Sequence, residues 1–184
     1  MQITVLAAGI DFYGYFALAA VGITLTIAYF LAIFFSFRFM GNFKKKIKNQ
    51  SEKVNIIIYQ KFEILSTLSQ ELDSYIRDDS RLKHLKKEEI KNYMSLSPKE
   101  FSDAYSISNQ LAARAQKIYV SNEFNGRQRV IDQLLESLYD LDNKYFESIQ
   151  IYNSFAIGYN YWRNLFSTRW IKNILKIKKI DLIA

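Results

Sequence analysis

From Phe12 to Phe37 the chain reads FYGYFALAAVGITLTIAYFLAIFFSF, 26 residues without a charge, and beyond Lys48 apolar and polar positions recur with helical spacing. At about 1.5 Å per residue the uncharged run is long enough to cross a hydrocarbon core of about 30 Å with some tilt. It predicts a transmembrane helix over 12–37, after a short segment 1–11. A cleaved signal peptide needs basic residues ahead of a short apolar core, whereas no Lys or Arg precedes this run. Tyr13 and Tyr15 at one end, and Phe37 and Arg38 at the other, suit the two membrane interfaces. The competing reading is a core helix buried within the chain.

The next pattern is amphipathic. Val54, Ile58, Phe62, Leu65, Leu68, Leu72 and Tyr75 fall in steps of three and four, the stripe of a helix with one buried face. The spacing leaves open whether this helix continues from the anchor. Residues 78–96 are charged and weakly periodic and read as a connection. SPKE then predicts a helix start, with Ser97 as N-cap, Pro98 in the first helical position and Glu100 reaching back. Phe101, Ala104, Tyr105, Ser108, Leu111, Ala112, Ala115, Ile118 and Tyr119 form its apolar face, and Gly126 marks a break. A last long helix is expected over about 127–166. Along it Leu138, Tyr145, Tyr152, Tyr159 and Phe166 stand seven apart. Two helical turns take about 7.2 residues, so these side chains line one packing seam of coiled-coil type. Asn153 and Asn160 follow two of the rungs and are expected to bond across to a facing helix.

Composition sharpens the fold class. Six Gly and one Pro in 184 residues leave little turn chemistry for a β fold, and the prediction is all-α, with 38–184 as one helical domain. The absence of Cys excludes disulfides and thiolate chemistry, and the lone His84, within RLKHLKKEE, has too few companions for a zinc site or a triad. No Gly-rich phosphate loop or elbow serine occurs. Acidic pairs such as Asp140 with Asp142 read as solvated faces, and neither catalysis nor a cofactor or metal is expected.

Charge adds topology. Residues 38–48 carry five basic and no acidic side chains, 49–162 carry 14 basic and 16 acidic, and 163–184 carry six basic against Asp181 alone. Two basic ends around a near-neutral body are not the continuous basic face of a nucleic-acid binder. The cluster Arg38, Lys44, Lys45, Lys46 and Lys48 beside the anchor, opposite Asp11, places the body in the cytoplasm and the N-terminus outside. The final stretch sets Trp162 and Trp170 among Arg163, Arg169, Lys172, Lys176, Lys178 and Lys179. Two readings stand: an interfacial helix lying on anionic lipid, or aromatic residues closing the core while the lysines are solvated.

These stretches together resemble the LemA family of bacterial membrane proteins. Its Tyr-Asn, five residues, Tyr-Asn, then Phe is matched at Tyr152, Asn153, Tyr159, Asn160 and Phe166. Its upstream stretch is similar to Ile58, Lys61, Ile64, Leu65, Ser66 and Leu68, with Tyr75 and Asp79 beyond. Ile131, Leu134, Leu138 and Asp142 sit as the family's Phe, Leu, Leu and Glu do. Lys61 stands where the family has Arg, and Ser66 and Ser167 where prolines are common. The resemblance spans roughly residues 38–180. It implies a membrane-anchored antiparallel four-helix bundle without established catalysis. The function expected of such a chain is a scaffold or interaction protein at the inner membrane, the alternative being a lipid-binding or membrane-shaping protein acting through the basic stretches 38–48 and 163–184. The partners expected are membrane lipids and other envelope proteins, with self-association left open.

Overall fold

In the computed structural model residues 2–72, 93, 95–121, 128–165 and 171–183 are described, with side chains from Tyr13 onward. Among them the elements are α1 (Gln2–Glu71), α2 (Phe101–Ser121), α3 (Gln128–Asn164) and the single-turn α4 (Ile171–Ile174), and no strand occurs. The amphipathic stripe does continue from the apolar run, since α1 is one uninterrupted helix. Tyr75, His84, Gly126, Phe166, Arg169 and Trp170 lie outside the described residues, as does most of the connection 78–96.

The chain forms two compact units. One comprises Met1–Phe43 with Gly158–Ile180, and the other Lys44–Ile157 with Asp181–Ala184.

In the first unit α1 is long and apolar enough to cross a membrane, with a mean hydropathy of 2.3 over its most apolar window and none of that window buried. Phe16, Leu18, Val21, Ile23, Leu25, Phe30 and Phe34 are all exposed, and their spacing distributes them around the helix axis. The polar side chains in this stretch turn inward on the helix itself. Thr24 and Thr26 donate to the carbonyls of Ala20 and Gly22, four residues back, each at 2.8 Å. Such back-bonding satisfies a hydroxyl without recourse to water. Burial begins at Ser36 and Met40. Phe39 stacks on Trp162 with ring centroids 4.6 Å apart. Gly158 leaves room for Phe43, because a Cβ there would lie 2.7 Å from that ring.

In the second unit α1 buries Val54, Ile58, Phe62, Leu65 and Leu68, and Leu72 just past its end is buried too, as the stripe predicts, at about 1.5–3 kcal/mol for each large side chain. On α2 the buried set is Phe101, Ala104, Ser108, Leu111 and Ala115, steps of three and four in which small residues let a neighbour approach closely. On α3 the rungs Ile131, Leu138, Tyr145 and Tyr152 are buried here at seven-residue intervals, and Tyr159 likewise in the first unit.

The start of α2 differs from expectation. Ser97 donates both its backbone N–H (2.7 Å) and its hydroxyl (2.6 Å) to Glu100, so the reciprocal cap closes on the carboxylate. Pro98–Glu100 form a turn and the helix proper begins three residues later, at Phe101.

Candidate functional site: a buried lysine and an amide-held segment

Among the described residues the buried face of α1 carries one charge. Lys61, three residues after Ile58 and four before Leu65, points with them into the second unit and is 1% exposed. Its ammonium donates to Asn109 Oδ1 on α2 and to Asp142 Oδ1 on α3, so one buried cation ties three helices together. Tyr105 completes the cluster in two ways. Its hydroxyl donates to the same Asp142 oxygen at 2.8 Å, and its ring centroid lies 4.3 Å from the Lys61 Nζ, within cation–π range. Tyr105 in turn stacks on Tyr145, with centroids 3.8 Å apart.

Burial sets the acid–base character of this cluster. Loss of water holds the Lys61 ammonium below the usual lysine range, and the bond and charge of Asp142 offset part of that. Burial also pushes the Tyr105 hydroxyl well up and the Tyr145 hydroxyl up to about 12. Tyr145 Oη has no hydrogen-bond partner, and it is the one buried side-chain polar atom of that kind among the described residues. The expectation that Asp142 lies on a solvated face is corrected: its side chain is 30% exposed and faces the buried lysine. Asp140, two positions away, is exposed as expected.

The second polar arrangement involves the Tyr-Asn pairs. In the second unit Asn153 donates to the Ile183 carbonyl at 2.8 Å and accepts from the Ile183 N–H at 2.9 Å. In the first unit Asn160 makes the same pair with Ile180, at 2.7 and 3.1 Å. Each carboxamide thus reads a backbone as a neighbouring β-strand would, donating and accepting at one residue. The expected bond to a facing helix is not what these amides make. Tyr152 is buried beside a cavity of about 250 Å³ lined also by Ser97, Pro98, Lys99, Asp181, Leu182 and Ile183. The Tyr159 hydroxyl is 3.5 Å from the Lys178 carbonyl.

No family model, curated protein or solved structure matches the chain. The placement of the remaining predicted residues therefore rests on the structure alone. Leu65 is fully buried. Lys44, Lys45, Lys46 and Lys48 are exposed, with Lys46 5.3 Å from the Phe155 ring centroid and Lys48 3.9 Å from Glu52. Arg163 is committed, donating to the Ile177 carbonyl and to Asn164, and Lys172 donates to the same Asn164 oxygen.

Of the two readings of the basic end, an interfacial helix finds a single turn: among the residues described beyond Leu165, Ile171–Ile174 alone is helical. Lys176, at φ 50°, takes the left-handed conformation, and the Ile177 N–H returns to the Lys172 carbonyl at 3.0 Å, a helix-ending motif. Beyond it the backbone of Ile180 and Ile183 is engaged by the two asparagines, leaving Lys176, Lys178 and Lys179 exposed.

Proposed function

We propose that this chain is a membrane-anchored helical interaction protein of the bacterial inner membrane, similar in kind to LemA proteins, without enzymatic activity. The observation that carries the reading is the change of character along α1. From Tyr13 to Phe35 its large apolar side chains are exposed, with Tyr29 and Ile33 half-buried, and from Val54 onward it buries one stripe. Surface of the first sort needs an apolar solvent, and surface of the second needs partner helices.

The helical body of this proposal is an antiparallel bundle. Contacts within the second unit support that direction. Lys46, Gln50 and Lys61 on α1 meet Phe155, Ser148 and Asp142 on α3, one series rising as the other falls. The LemA likeness rests on the three sequence stretches, and the buried Lys61–Asp142 pair occupies two of their positions.

Orientation is part of the proposal: the exposed Lys44, Lys45, Lys46 and Lys48 follow the span and favour a cytoplasmic body. A cysteine introduced at the exposed Gln116 on α2 should resist an impermeant maleimide in intact cells and react after permeabilisation. Labelling in intact cells would reverse the topology. A second reading, a lipid-binding protein, retains the 38–48 cluster together with Lys178 and Lys179. Arg163 and Lys172 support it less, since each places a donor on a partner within the chain.

A further inference from the structure

The second unit is built from one continuous stretch, Lys44–Ile157, and a few residues that rejoin it after an excursion of more than twenty positions, Asp181–Ala184. Those few residues are held as a bound peptide would be. Asn153 takes both backbone groups of Ile183, which recognises extended chain without regard to the side chain. The Ile183 side chain is buried, 7% exposed, while Leu182 points outward. Asp181, two positions earlier, lies 4.0 Å from Lys99, with both side chains mostly exposed. The adjoining cavity beside Tyr152, Ser97 and Pro98 is larger than the segment fills.

We propose that this is an exchangeable peptide site, specific for an extended segment with an aliphatic residue two positions after an acidic one. Its occupant in trans is the same segment of a second copy of the chain. The hold rests on two backbone bonds, one buried aliphatic side chain and an exposed ion pair, none of which depends on the segment belonging to the same molecule. Intramolecular occupancy then competes with exchange between copies at a ratio set by effective concentration. This deepens the interaction reading given above and rests on it.

The test uses the full chain in detergent. Ile183→Asp unseats the resident segment, and a fluorescent peptide spanning residues 178–184 is expected to bind this variant at least about tenfold tighter than the unsubstituted chain. Adding Asn153→Ala should erase the gain. In the second arm, chains carrying Lys99→Cys and chains carrying Asp181→Cys are mixed and treated with a short bismaleimide. No native cysteine interferes, and both positions are exposed, so this arm does not depend on the fold tolerating Ile183→Asp. Cross-linked pairs at twice the chain mass support exchange. A folded Ile183→Asp chain that binds no tighter overturns the site, and peptide capture without cross-linked pairs overturns the second copy as occupant. Membrane retention of the same variants is scored in cells before solubilisation, so loss of exchange with retention intact removes this proposal and leaves the anchor.

Discussion

Lys61 concentrates the residue-scale energetics. A buried ammonium is tolerable only while Asp142, Asn109 and the Tyr105 ring surround it, and removing one partner strands the other. Lys61→Ala should therefore cost about 3–5 kcal/mol in thermal or denaturant unfolding of the detergent-solubilised chain. Lys61→Met with Asp142→Leu should recover most of it, since the pair is then replaced by apolar volume. Tyr145→Phe should act in the opposite direction, raising stability by about 1 kcal/mol, because it removes a buried hydroxyl with no partner and keeps the stack on Tyr105. The pH dependence follows in sign. For Tyr145, raised from about 10 to about 12 by burial, the folded state holds its proton more tightly than the unfolded state. Its contribution is complete below about pH 10 and is lost as pH rises through about 12. Melts across that window should fall more steeply for the unsubstituted chain than for Tyr145→Phe. The stripe read from the sequence did not include Lys61, although it stands three residues after Ile58, and only the pairing of α1 with α3 supplies the carboxylate that lets a lysine be buried there.

At the scale of elements, periodicity carried most of the information. The stripes of α1 and α2 and the seven-residue rungs of α3 were legible because a helix repeats its buried face every three or four residues whatever it packs against. The basic end was not legible. Ile171 to Lys179 alternates apolar and basic residues as an amphipathic helix would, but the observed helix stops at Ile174. Two facts override the pattern, one local and one not: Lys176 adopts positive φ, and asparagines on α3 claim the backbone beyond it. The start of α2 shows a smaller version of the same effect, with a capping signature that was readable but whose bonds shift the first helical turn by three residues. Lys176 offers a direct check on this element. Glycine adopts its conformation without the Cβ penalty, so Lys176→Gly should stabilise the helix end by up to about 1 kcal/mol. Slower amide exchange at Leu175 and Ile177, whose N–H groups close this turn, would report it.

For the whole molecule the membrane assignment has the widest consequences. The uncharged run was evident from the sequence, and the structure adds that no part of its most apolar window is covered by the rest of the chain. An uncovered apolar surface of this kind is what a span presents to lipid. If the lipid-binding reading held instead, replacing Lys44, Lys45, Lys46 and Lys48 by Gln would be the substitution that releases the chain from membranes. Under the anchoring account the same replacement leaves attachment intact and affects only orientation. The decisive measurement is alkaline carbonate extraction of membranes from cells expressing the full chain. The account predicts that the protein stays in the membrane pellet, with or without the four lysines, and is released only by detergent. Recovery in the carbonate supernatant would contradict it.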